Sequence, residues 1–254
     1  MRARALVAVA AATVLLSSCS SPSRPAHHSR RAATTTTFPF ATVPTSTTLP
    51  SAVQGLTGGL PVYPFASVAE VQAWQQSYQS SGAQPWHLDA GQSALQFTSF
   101  LGFSQIDKVV STSTGTDGAH VTVGFATGSQ TTTSAVIHLV RWGSGTDAPW
   151  EVVGTDDTTF SLTTPAYGAK TTSPATVGGR ITGTDENIEV RVFGPDSPSA
   201  LDTYCCMAAG GTDTPWQANV VFRASKGTVL AIVAQTGGHV ATVERFTVTA
   251  VRAG

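Results

Sequence analysis

Cys205 and Cys206 are adjacent in this chain, which has only one other cysteine, Cys19. Adjacent thiols can bind a metal ion, act as a redox centre or close a disulfide. Two thiolates supply two of the four ligands of a structural zinc site, and no histidine or further cysteine lies near them in the sequence. A thioredoxin-type centre needs two residues between its cysteines, and this pair has none. The pair is therefore expected to be structural, in a state that depends on the compartment.

Two histidines, His120 and His138, fall on successive predicted strands, Ala119–Ala126 and Ser134–Trp142. With a hairpin turn near residue 130, His138 would lie opposite Thr122. The two imidazoles would then be diagonal neighbours on one face of the sheet. The sequence shows no third ligand and no carboxylate partner, so we predict solvent-facing polar positions. A metal-binding or catalytic pair is the alternative.

A third histidine, His87, follows Trp86 and lies near Asp89. Asp89 is better explained as the N-cap of a helix over residues 90–101. Trp86 is kept, together with the two strand histidines, as a candidate contact for a ligand or partner.

Enzyme motifs are absent from the sequence, which has no nucleophile elbow, zinc-protease helix, P-loop or dinucleotide-binding glycine pattern. The acidic pairs Asp156–Asp157 and Asp185–Glu186 lack the spacing of a calcium loop and are expected to lie in loops. We therefore assign no catalytic residue, and no metal or other cofactor is expected.

The first residues, 1–18, join a basic start to an apolar run of 12 residues from Ala5 to Leu16. This run is shorter than the roughly 20 residues that span a bilayer, and it suits a signal peptide. The sequence LSSC, ending at Cys19, resembles the lipobox of bacterial lipoproteins. That resemblance implies a diacylglyceryl group on the Cys19 thiol, a new N-terminus at Cys19 and a further palmitate-type chain on its amine.

Two acyl chains make a stable anchor. The expected location is the cell membrane, with the protein anchored by lipid on its extracytoplasmic face. Disulfides are permitted there, and nucleic acid is not an expected partner. With Cys19 assigned to lipid, we expect Cys205 and Cys206 to form a vicinal disulfide that stiffens a loop. A pair of free buried thiols and a bond to another chain are the alternatives.

Residues 20–59 contain no Asp or Glu and are rich in Ser, Thr and Pro. Such a segment buries too little apolar surface to offset its ordering entropy. We predict a lipidated, disordered stalk over residues 19–59. The remaining chain carries nine basic and 15 acidic residues, a net charge of −6.

Residues 60–155 are predicted to form an α+β domain. Ser67 and Glu70 have the spacing of a capping box, and apolar residues then recur with helical period. After the second helix the period changes to two over four strands. Two helices on an antiparallel sheet resemble the cystatin or NTF2-like arrangement in element order.

Residues 156–254 read almost entirely as short strands and turns, beginning with Thr159–Thr163, and suggest an immunoglobulin-like sandwich. The sequences TPAYGA (164–169) and SPATVGG (173–179), with the later IEVRV and PWQA, resemble the Gmad2 family of bacterial envelope proteins. The resemblance implies a sandwich without catalytic residues. Residues 60–155 do not resemble the GerM domain that often accompanies this family, so no sporulation role is inferred.

These features together favour a non-enzymatic envelope lipoprotein that binds a protein or cell-wall partner. One alternative is a carrier or sensor with a small ligand in the α+β domain, and another is an envelope hydrolase. An enclosed apolar cavity under the first sheet would favour the carrier. Clustered acids and histidines in a cleft would favour the hydrolase.

Overall fold

The described chain is mostly β-strand, with two α-helices near its start, as expected from the sequence. A computed structural model describes residues 56–183, 186–195 and 197–254. The predicted signal peptide, Cys19, the stalk up to residue 55, and Asp185 lie outside the described residues. The helices are α1 (Val68–Ser81) and α2 (Ala90–Phe100), with a 3-10 helix (Pro85–Leu88) between them. The strands are β1 (Lys108–Thr114), β2 (Ala119–Thr127), β3 (Gln130–Arg141), β4 (Trp150–Thr155), β5 (Lys170–Thr171), β6 (Ala175–Ile181), β7 (Asn187–Phe193), β8 (Asp202–Ala208), β9 (Thr214–Val220), β10 (Val229–Gly237) and β11 (Arg245–Ala253).

Both helices begin at the caps that the sequence predicts. The Ser67 hydroxyl accepts from the Glu70 backbone N–H, and the Glu70 carboxylate accepts from the Ala66 N–H. Asp89 caps α2 by accepting from the Gln92 N–H at 2.9 Å. These caps satisfy backbone donors that a helix start otherwise leaves unpaired.

The first sheet is an antiparallel meander in the order β1-β2-β3-β4. Its inner face consists of buried apolar residues of β2, β3 and β4, among them Val121, Ile137 and Val152. Phe97 of α2, fully buried, belongs to the same hydrophobic core. Because successive side chains of a strand point to opposite faces, the residues that alternate in sequence with these apolar ones form the outer face of the sheet.

The second half contains two sheets: a five-stranded sheet in the order β5-β11-β10-β7-β8 and a two-stranded sheet, β6-β9. Their facing side chains form a core that includes Val177, Val190, Trp216 and Ile232. The Trp216 indole also donates to the Ser161 carbonyl at 3.2 Å, which holds the chain around Ser161 against this core.

The other face of the five-stranded sheet is buried in the core of the first half. Phe193, Val233 and Phe246 belong to the same hydrophobic cluster as Phe97 and Val121. Strands β10 and β11 are therefore buried on both faces, and β10 accordingly begins with an unbroken apolar run, VLAIVA. The described residues belong to one compact unit.

Three sequence expectations are corrected. Thr159–Thr163 forms no regular strand, and Phe160 makes an isolated bridge to Ile181 instead. Leu56, assigned to the stalk, is buried and pairs with Trp142, so the ordered body begins before residue 60. The region around the cysteine pair contains strand β8.

Within the described ranges, no helix has the length and apolar character needed to cross a bilayer.

Candidate histidine–aspartate site

His120 of β2 and His138 of β3 are direct cross-strand partners. Their rings stack with centroids 4.5 Å apart and planes 15° from parallel. The predicted diagonal arrangement is wrong by two residues. The hairpin turns at Gly128 and Ser129, so Thr127 pairs with Gln130, and a bulge later shifts the pairing by one residue.

Each ring contacts an aspartate that the sequence did not connect with it. His120 Nδ1 donates to Asp156 Oδ2 at 2.6 Å, and His120 Nε2 lies 3.2 Å from Asp117 Oδ2. His138 Nε2 lies 3.1 Å from the backbone carbonyl oxygen of Asp117. We refer to Asp117, His120, His138 and Asp156 as the histidine–aspartate site.

Asp117 reaches the site because the β1–β2 turn lies against β3. A hydrogen bond from the Gly115 N–H to the Gly118 carbonyl closes this turn. Gly118 has a φ of +135°, and a Cβ there would lie 2.1 Å from the Leu139 carbonyl oxygen and 3.2 Å from His138 Nε2. Only glycine permits this close approach, which holds Asp117 over the histidine pair.

Asp156 reaches the site from the end of β4. Its backbone N–H donates to the Val136 carbonyl, so the chain continues beside β3 past Thr155. Gly154 pairs with His138 and has no side chain to cover the imidazole. Asp156 lies in the loop after β4, as expected, but its carboxylate also contacts and orients His120, which the sequence did not indicate.

Within the site, Asp117 and His120 shift each other's pKa values. Desolvation lowers the pKa of His120, but the hydrogen bond and charge of Asp156, followed by those of Asp117, outweigh it and raise the pKa overall. The pKa of Asp117 is lowered, first by a backbone hydrogen bond and then by His120. The His120 side chain is 26% exposed, so solvent screens these interactions only in part.

A cleft of about 460 Å³ adjoins the histidine–aspartate site. We call it the junction cleft, because residues of both halves form its walls. Its lining includes His138, Val153, Leu162, Tyr167 and Thr249. The Tyr167 hydroxyl accepts from the Leu60 N–H at 2.5 Å, so this aromatic wall is held to the start of the body.

The residues of the site offer base, acid and ligand chemistry, but among the described residues they form no nucleophilic triad. The hydrogen bonds of both rings go to Asp117 and Asp156, and neither ring holds a hydroxyl or thiol. A triad needs a nucleophile in contact with the base. One ligand atom from each of Asp117, His120 and His138 lies within 4.8 Å of the others, a spacing that can hold a metal ion.

Trp86, the third candidate contact, belongs to a different cluster. Its ring stacks on His87 with centroids 3.6 Å apart and on Tyr63 at 6.4 Å. His87 in turn lies against Phe65 and Trp74 and is 3% exposed. Burial lowers the pKa of His87 to about 4, so this imidazole is a neutral core residue at neutral pH.

The cysteine pair lies on the exposed outer strand β8, which pairs with β7. The expected loop is therefore a strand at the edge of the five-stranded sheet. The structure joins Cys205 to Cys206 by a disulfide. Glu189 offers an oxygen near both sulfur atoms, but sulfur atoms bonded to each other are not thiolate ligands. The redox state stays a prediction.

Comparison of the chain with family models, curated proteins and solved structures gave no match. The resemblance to the Gmad2 family thus stays a prediction from sequence motifs.

Proposed function

We propose that this protein is a lipid-anchored envelope protein that binds a protein or cell-wall partner at the junction cleft and catalyses no reaction. The observation that carries the proposal is the cleft itself. It is open, it lies between the two halves, and its walls combine apolar surface with threonine and tyrosine hydroxyls. Such a mixture suits an extended peptide or glycan, which presents both apolar faces and hydrogen-bonding groups.

The architecture supports the finer assignments made from sequence. Two facing sheets with a common core are the arrangement of an immunoglobulin-like sandwich, and the Gmad2-like motifs fall in that part of the chain. Two helices followed by a four-stranded meander suit a cystatin or NTF2-like first half. Both assignments belong to the proposal, as does the extracytoplasmic location.

The packing favours partner binding over the carrier alternative. The inner face of the first sheet is occupied by α2, and the helix residues Ala94 and Phe97 are fully buried. A carrier of a small apolar ligand needs space at that place. The open cleft lies elsewhere, on the side where the first sheet meets the second half.

One observation favours a second candidate, an envelope hydrolase. Two imidazoles and two carboxylates meet beside a cleft, which is where a general base for water would be placed. The two functions separate in one assay. If the protein only binds, purified envelope material incubated with it should release no soluble fragments. If it is a hydrolase, the wild type should release soluble fragments and H138Q should not.

The anchor is tested by substitution of Cys19. Cells that express the wild-type chain and take up labelled palmitate should give a labelled protein in the membrane fraction, and C19S should give neither label nor membrane retention. The double variant C205S/C206S is the matched control and should keep both. Retention and labelling of C19S would contradict lipidation at this cysteine.

The binding site is tested by photo-crosslinking in intact cells. A crosslinking amino acid at Ala166, exposed in the cleft wall, should capture a discrete partner. The same amino acid at Gln72, on the exposed face of α1, is the control and should not. Digestion of the adduct with a protease or a cell-wall hydrolase then identifies its class. Equal capture at both positions would contradict the cleft as the binding site.

A further inference from the structure

We propose that Asp117, His120 and His138 bind one divalent transition-metal ion of the zinc type, with Asp156 holding His120 in the coordinating orientation. This inference is independent of partner binding in the junction cleft. It rests on the positions of the four side chains and on the glycine that brings the β1–β2 turn against them.

The ligand atoms have a suitable spacing. Two atoms bound tetrahedrally to one zinc ion at 2.0–2.1 Å lie about 3.3 Å apart. His120 Nε2 and Asp117 Oδ2 are already 3.2 Å apart, and the His138 ligand atom lies within 4.8 Å of both. A side-chain rotation of Asp117, which is exposed, is enough to bring the three atoms around one ion.

The second observation is the carboxylate behind His120. Asp156 accepts from Nδ1, which leaves the Nε2 lone pair directed toward Asp117. Histidines that bind metals commonly have this carboxylate partner, which fixes the tautomer and makes the ring a better donor. A solvent-exposed histidine with no ligand needs no such orientation.

Charge also favours a cation at this place. Asp117 and Asp156 contribute two negative charges, and the described part of the site has no lysine or arginine in contact with them. A divalent ion neutralises both carboxylates. Coordination uses the Nε2 lone pairs, so any proton on these atoms leaves to solvent or moves to Nδ1. The hydrogen bond between His138 and the Asp117 carbonyl is replaced by the metal–nitrogen bond.

The donor set selects the class of metal. Two imidazole nitrogens and one carboxylate oxygen suit zinc and its neighbours, whereas calcium and magnesium prefer oxygen ligands alone. Three protein ligands leave at least one position for water or for a group of a bound partner. The junction cleft contains His138, so a partner in the cleft lies beside that position.

The test is a zinc titration of the full chain, purified in detergent without a polyhistidine tag, against a zinc-binding dye. We expect one ion per chain at the site. H120Q and H138Q should abolish that binding, and D156N should weaken it by about 10- to 100-fold through loss of the orienting carboxylate. The matched controls D157N and H239Q, and the double variant H27Q/H28Q, should leave it unchanged.

Cobalt(II) in place of zinc gives a second readout. Binding at this site should produce the visible absorption of cobalt bound to nitrogen and oxygen, without a thiolate charge-transfer band. A thermal melt of each variant without metal shows whether the variant still folds. Zinc should raise the melting temperature of the wild type but not that of H120Q or H138Q. Unchanged zinc binding in both histidine variants, or no saturable binding by the wild type, would overturn the proposal. Either result leaves crosslinking at the cleft unaffected.

Discussion

Arg191 of β7 donates to the Leu101 carbonyl at the end of α2, at 3.0 Å, and so fastens the second half of the chain to the first. Its guanidinium also donates to Gln235 Oε1 at 2.6 Å and lies over the Phe103 ring at 4.7 Å from the centroid. Desolvation by burial lowers the pKa of Arg191, and the nearby Glu189 charge opposes that effect. A cation in this setting contributes through packing and directed hydrogen bonds together.

Removal of that cation should destabilise the whole body. We expect R191A to lower the free energy of unfolding by about 2–3 kcal/mol, because the Leu101 carbonyl and the Phe103 face lose their partner. R223A, at an exposed arginine, should change it by less than about 0.5 kcal/mol. Urea unfolding followed by tryptophan fluorescence measures both. Equal effects of the two substitutions would refute this role for Arg191.

A side chain at Gly118 should disrupt the β1–β2 turn. The added Cβ of G118A would meet the Leu139 carbonyl oxygen, and a φ of +135° is strained for alanine. We expect a loss of about 2–3 kcal/mol, together with weaker zinc binding, since Asp117 moves away from the histidines. G128A has positive φ but open space around its Cβ, so it should cost only about 1 kcal/mol and leave zinc binding intact. Thermal melts and the dye titration test both effects.

Glu151 should make the fold less stable as pH rises. It is fully buried, it accepts from the Phe65 N–H at 3.2 Å through Oε2, and its Oε1 has no hydrogen-bond partner among the described residues. Burial therefore raises the pKa of Glu151 well above its ordinary value. The unfolded chain releases this proton at a lower pH than the folded one, so stability falls as pH rises from the unfolded pKa toward the folded one.

E151Q removes this ionisable group while keeping its size. The variant should gain stability relative to wild type as pH rises from 4 to 8. D157N, at an exposed acid, should follow the wild-type profile. Urea unfolding at a series of pH values gives the comparison, and a constant difference between E151Q and wild type across the series would show that Glu151 does not titrate as proposed.

His87 should have the opposite dependence. Its pKa is lowered to about 4 by burial, whereas the unfolded histidine titrates near 6.5. The unfolded state therefore takes up the proton first, and stability falls as pH decreases from about 6.5 to 4. The full effect is about 3 kcal/mol below pH 4, and H87F should remove it. Titration of the imidazole by NMR measures the pKa directly; a value near 6.5 contradicts the assignment of His87 as a neutral core residue.

The cysteine pair should contain no free thiol in the oxidised protein. Thiol titration of the unfolded mature chain, with Cys19 lipidated, should find none before reduction and two after it. Because both residues are exposed on an edge strand, C205S/C206S should change stability by less than about 1 kcal/mol. Two thiols before reduction would exclude the disulfide, and a disulfide-linked dimer on a non-reducing gel would assign it to two chains.

Local signals in the sequence were sufficient for the helices. The caps Ser67 and Asp89 depend only on neighbouring residues, and the structure has them as expected. The histidine pair was found on one face for the same reason. Its direct pairing was missed because the hairpin turns at Gly128 and Ser129 rather than at residue 130, and the bulge near Val123 offsets only one residue of that difference.

The aspartates of the site were missed for a different reason. Asp156 reaches His120 from the end of β4, so its approach depends on tertiary pairing, whereas Asp117 lies only three residues before His120 and was a local signal that the sequence interpretation overlooked. Strand β8 was read as a loop because prolines and glycines flank it. The apolar run at the start of β10 did contain a signal, since a strand buried on both faces lacks alternation, whereas β11 buries Thr247 and Thr249 and alternates like a half-exposed strand.

The common core of the two halves limits how the partner proposed for the junction cleft could enter it. Phe193 of the second half packs against Phe100 of the first, and Phe246 packs against Phe103, so separating the halves would expose much of the interior to water. Closure of two lobes around a ligand, as in hinged binding proteins, is therefore not available to this molecule. The cleft is open in the structure. We therefore expect the proposed partner to associate in one bimolecular step, with a rate proportional to its concentration and no plateau from a preceding conformational change.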